Sequence, residues 1–145
     1  MSASEHPLWR GIDEGSGGSF IRDITKRNLG IHWTDHPETA DRFAQPHKFD
    51  EETREPISHP ALSDTQFGTV IHAKVPAKNT VKEGSPECNK LADKHHIYGH
   101  EAEEEVTVRP NATVKVHALE RKISTPEGKE RTRIVRFNPP REMKA

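Results

Sequence analysis

Apolar positions along this chain alternate more often than they recur at helical spacing, and the alternating stretches gather in its second half. Residues 68–75 carry Val70, Ile71, Ala73 and Val75 and close on Pro76, which predicts a strand. Further strands are predicted over 105–108, 113–119 and 131–137, the last two joined as a hairpin across Pro126-Glu127-Gly128. Near the start, the burst Pro7-Leu8-Trp9-Arg10-Gly11 predicts a brief strand that runs into a Gly/Ser turn. Gly30-Ile31-His32-Trp33-Thr34 predicts a second, because aromatic and β-branched residues dominate it.

Helical spacing is confined to short segments. Phe20, Ile21 and Ile24 suit a helix over 20–28. A clearer one follows the second strand: Thr34 or Asp35 serves as N-cap, Pro37 and Glu38 occupy the first turn, and Ala40, Phe43 and Ala44 share a face before Pro46. Residues 85–94 repeat the logic, with Ser85 as N-cap and Pro86 at the first helical position. Between them, 46–66 is a long polar loop with three prolines, and 95–102 is a polar turn. No internal repeat is visible. The predicted class is α+β, rich in short strands.

Composition narrows the picture. A chain of 145 residues suits one domain over 1–145, and 30 % hydrophobic residues with mean hydropathy -0.93 imply a small core. Leu, Ile, Val and Phe together fall just under the ~20 % that signals disorder, but disorder also needs a large net charge, and here it is -1. No apolar run approaches the ~20 residues of a membrane helix. The first residues lack a secretory pattern, and the single Cys88 excludes an internal disulfide. The expectation is a cytoplasmic monomer without membrane association.

Charge is unevenly spread. Residues 1–72 hold 7 basic and 12 acidic side chains, and 73–145 hold 15 and 11. The basic excess lies in the hairpin of about 113–138 and just beyond it, where Arg131, Arg133 and Arg136 stand. Such a hairpin is either a solvated surface or a docking surface for an acidic protein or nucleic acid.

Three local patterns occur in order: Leu8-Trp9-Arg10-Gly11 on the opening strand, the strand-to-helix segment His32-Trp33-Thr34 through Phe43-Ala44, and the acidic run Glu103-Glu104-Glu105 entering Val106-Thr107-Val108. In order and spacing, from about residue 7 to 119, the chain resembles the mono-ADP-ribosyltransferases of the arginine–serine–glutamate class, found among bacterial toxins, phages and vertebrates. The resemblance implies an ADP-ribosyltransferase-like split β-sandwich of two roughly perpendicular sheets, with a few short helices and NAD in the cleft between. It implies transfer of ADP-ribose from NAD to a target protein, inside a host cytoplasm if the chain is phage-encoded. An arginine rather than a histidine on the first strand speaks against the poly-ADP-ribosylating branch.

The roles implied by the resemblance make chemical sense. Arg10 offers a planar, permanently charged fork to the pyrophosphate, and Gly11 lets the backbone approach the nicotinamide amide. Glu105 stabilises the positive charge that builds on the ribose as the nicotinamide leaves. Glu103, two positions earlier, orients or deprotonates the acceptor, and a glutamate there goes with arginine acceptors. Where the family has Ser-Thr-Ser, this chain has His32-Trp33-Thr34, three residues that take that motif's place in the NAD-binding set: only Thr34 keeps a hydroxyl, and either His32 supplies the first serine's hydrogen bond with Trp33 as a packing residue, or the site is altered and inactive. Phe43 and the loop residues Lys48, Phe49 and Arg54 join the NAD-binding set, and Tyr98 marks the target-recognition turn. His95, His96, His100 and Cys88 lack the spacing of a zinc site, so no metal is expected. The rival reading is a non-catalytic module that binds an acidic protein or nucleic acid through the basic hairpin.

Overall fold

A computed structural model describes residues 5–15, 28–44, 65–81, 85–95, 105–127 and 129–145. The elements are β1 (Glu5–Gly15), β2 (His32–Thr34), α1 (Pro37–Phe43), β3 (Gln66–Pro76), β4 (Thr80–Val81), α2 (Pro86–His95), β5 (Glu105–Val108), β6 (Thr113–Ser124) and β7 (Glu130–Lys144). A short 3-10 turn, Ala77–Asn79, links β3 to β4. The described chain is mostly β with few helices. The segment 20–28, for which a helix is expected, lies almost wholly outside the described residues.

All described strands belong to one antiparallel sheet in the order β4-β5-β2-β1-β3-β6-β7. Two sheets were expected, whereas the hydrogen bonding is continuous because β1 is laddered on both edges. The two edges are very unequal. On one side β1 and β3 pair in register from Glu5↔Pro76 to Gly15↔Phe67, while on the other the only registered pair of β1 and β2 is Trp9↔Thr34. The sheet therefore consists of a long half, β1-β3-β6-β7, and a short half, β2-β5-β4, joined by a narrow seam.

Strand alternation sorts the side chains. Leu8, Ile71, Ala73, Val75, Trp33, Val114 and Val116 meet in the main core on one face. The opposite face of β1 and β3 receives α1. Ala40, Ala44 and Val70 form a second buried cluster there, with Trp9 packed against it. The helix lies very close to the strands. A Cβ on Gly11 would stand 1.8 Å from the Ala40 carbonyl oxygen, and one on Gly68 would stand 1.6 Å from that of Ala44. Two glycines on the sheet and two alanines on the helix, four residues apart, thus set the distance between the layers.

Both helices start where the sequence suggests, with one change at α1. Its N-cap is His36, which makes no side-chain cap, and Pro37 takes the first helical position. Thr34 Oγ1 instead accepts from the His36 N–H at 3.1 Å. At α2, Ser85 Oγ accepts from the Cys88 N–H at 3.1 Å, as an N-cap should. Arg109 ties α2 to the end of β5, donating from Nε and Nη2 to Glu87 at 2.8 and 3.0 Å. This pairing holds the Glu87 carboxyl below its usual value and raises the Arg109 guanidinium. No helix among the described residues is long and apolar enough to cross a membrane.

Candidate functional site

The three sequence patterns fall on three neighbouring strands, β1, β2 and β5. The ladder carries a row across them: Trp9 pairs with Thr34, and Thr34 pairs with Glu105. With strands about 4.8 Å apart, that row spans about 10 Å. Glu105 opens β5 beside the end of β2, and His32 pairs with Thr107 further along. Residues far apart in the chain thus meet at one corner of the short half of the sheet.

Arg10 stands one rung along β1 from this row. Its alternation is that of Leu8 and Ile12, so it leaves the sheet on the side of the main core, the face opposite the one that Trp9 and Thr34 share. From there the guanidinium reaches β2, where Nη1 donates to the His32 carbonyl oxygen at 2.6 Å. It lies over Gly30, whose φ of 100° is in the left-handed region and where a Cβ would come within 2.8 Å of Arg10 Nη2. A glycine is required there on both counts.

The remaining expected site residues divide sharply. Trp33 is buried in the main core with Nε1 donating to the Gly30 carbonyl at 2.9 Å, so its place is in packing and not against a cofactor. Thr34 is buried and its hydroxyl serves the entry to α1. The room left by the missing side chain of Gly11 is filled by α1. Phe43, at the end of α1, is 46 % exposed and is the one aromatic of the expected set, among the described residues, that presents a large surface to solvent. Glu103, Lys48, Phe49, Arg54 and Tyr98 lie outside the described residues.

A second polar cluster escaped the sequence reading. Trp9 Nε1 donates to His72 Nδ1 at 3.2 Å, and the His72 and His117 rings meet edge to face at 6.1 Å. His117 borders a cleft of about 470 Å³ lined also by Glu5, Lys74, Lys115 and Pro140. Burial, then His72, Lys74 and Arg136, all push the His117 imidazole towards its neutral form. The signal was present as His72-x-Lys74 and Lys115-x-His117, same-face spacings on two strands that the ladder pairs. None of the expected NAD-site residues lines this cleft. No protein-family model, curated protein or solved structure matches the chain.

Proposed function

We propose that this protein is an NAD-dependent mono-ADP-ribosyltransferase of the arginine–serine–glutamate type. The observation that carries the reading is the adjacency of β1, β2 and β5, which joins the Arg10, His32-Trp33-Thr34 and Glu105 segments in one ladder. The narrow seam between the two halves of the sheet supports it as well, since a dinucleotide cleft between two sheet halves needs such a parting.

In this reading the Arg10 guanidinium holds the pyrophosphate, which requires it to give up its bond to the His32 carbonyl and cross the seam from the core side to the face of the Trp9–Thr34 pair. The bond between nicotinamide and ribose breaks with its electron pair leaving on nicotinamide. The Glu105 carboxylate stabilises the cationic ribose, and a nucleophilic nitrogen of the acceptor guanidino group attacks the same carbon and loses a proton. His32 stands where the family's first serine supports the glutamate.

The test is nicotinamide release from NAD, with and without a free guanidino acceptor such as agmatine. Wild type is expected to release nicotinamide and label agmatine, and Glu105→Gln to lose about a hundredfold or more. Equal rates in wild type and Glu105→Gln overturn the assignment. Labelling of other acceptors in preference to agmatine would keep the reaction and remove the arginine specificity.

A further inference from the structure

The far edge of the sheet presents a different surface. Residues 130–136 of β7 are all exposed, so both of its alternating sets face solvent and neither is packed on a core. Ile134 and Val135, on opposite faces, are 51 % and 52 % exposed. β7 is also the last strand in the order, so alternate N–H and C=O groups along its outer side have no ladder partner among the described strands.

The charges of this ribbon are arranged by face. Arg133 stands directly opposite Arg121, and Arg131 opposite Ile123, so three guanidinium groups share one face. Arg121 is spread over the Phe67 ring at 4.3 Å. Like charges directly opposed across strands are destabilising, and among the described residues neither Arg131 nor Arg133 meets a carboxylate. On the other face, Ile134 lies opposite Glu120 and Thr132 opposite Lys122. On β7 one face thus carries Arg131, Arg133 and Val135, and the other carries Thr132, Ile134 and Arg136.

We propose that the outer edge of β7 takes an extended acidic segment of a partner protein as an additional strand. Its backbone completes the unpaired edge, its acidic side chains fall beside Arg131 and Arg133, and its apolar ones beside Ile134. A second copy of this chain is a poor occupant, because edge-to-edge pairing sets arginine against arginine. Nucleic acid would leave the free backbone edge and the two aliphatic side chains unused. The inference is independent of the NAD reading, since the edge lies across the sheet from β5 and β2.

The experiment uses the full chain and a fluorescein-labelled peptide of about eight residues alternating valine and glutamate, a length typical of strands. Fluorescence anisotropy is expected to show binding that weakens at least tenfold in Arg133→Glu and in Ile134→Asp. Both positions are exposed, and unchanged far-UV circular dichroism confirms folding. The same peptide with alternate amides N-methylated along one edge is expected not to bind, and amide exchange is expected to slow along β7 with the unmodified peptide. Equal binding of the methylated peptide, tighter binding of a duplex DNA probe, self-association through β7, or no peptide binding at millimolar concentration would each overturn the proposal.

Discussion

The Arg10 guanidinium donates through Nη1 to the His32 carbonyl oxygen at 2.6 Å, fastening the cation of the first strand to the backbone of the second. The bond crosses the seam where β1 and β2 share only the Trp9↔Thr34 pair. It therefore does for the two halves of the sheet what a longer ladder would otherwise do.

Replacing Arg10 with Met should lower stability by about 1.5–3 kcal/mol, the range for a hydrogen bond to a charged group. Urea denaturation measures this. Arg10→Lys keeps the charge but loses the planar fork, so it should retain most of the fold while weakening NAD about tenfold by titration calorimetry. Unchanged NAD affinity in Arg10→Lys would remove the guanidinium from the pyrophosphate site.

Gly11→Ala and Gly68→Ala should each cost about 1–3 kcal/mol, because the added Cβ meets a helix carbonyl oxygen and α1 must lift from the sheet. The same substitutions on an open strand would cost nothing, since alanine is the better strand residue. Denaturant midpoints of the two variants, compared with that of wild type, separate the two cases.

The strands of the long half with apolar runs were legible because their pattern records burial, on both faces in β3 and on one in β6. Val70, Ile71, Ala73 and Val75, and likewise Val114, Val116 and Ala118, lie where the pattern placed them. Ends were harder to read. β1 extends through polar Asp13 and Glu14 because β3 supplies its partners, and Thr69 Oγ1 donates to Glu14 at 2.7 Å. β7 runs on past Phe137 through two prolines, which a local rule takes as a stop, because residues 141–144 resume pairing with 113–116. The two residues of β4 carry no periodicity at all. At the candidate site, the residue types were legible but their adjacency was not, since it follows from strand order. Gly11 shows the difference: sequence alone offered a close approach to a ligand, and the fold places α1 there.

Trp33 tests the core beneath that corner. Trp33→Phe keeps most of the apolar volume but loses the bond from Nε1 to Gly30, and should cost about 0.5–1.5 kcal/mol. Trp33→Ala opens a cavity in the main cluster and should cost about 3–5 kcal/mol. Denaturation curves for both variants give the comparison. A Trp33→Ala cost no larger than that of Trp33→Phe would mean that the ring is not part of the packed core.

His117 gives the stability a pH dependence whose sign can be worked out. Burial comes first, and His72, Lys74 and Arg136 add to it, all lowering the folded value below the ordinary 6.5. The unfolded chain then binds a proton more readily than the folded one, so His117 favours the folded state above pH 6.5. That contribution is lost as pH falls through the lowered folded value. The carboxylates nearby are engaged with other groups: Glu120 lies 3.8 Å from His72 Nε2, and Glu5 pairs with Lys115 at 3.1 Å on the rim of the same cleft. The direct neighbours of His117 are cationic, so the net slope from this site should be positive in pH. Urea denaturation between about pH 5 and 8 should show stability falling towards acid in wild type, with a smaller fall in His117→Gln. Lys74→Met should also flatten the curve, because it removes one of the repelling charges while leaving the imidazole in place. An unchanged slope in both variants would assign the acid sensitivity to other groups.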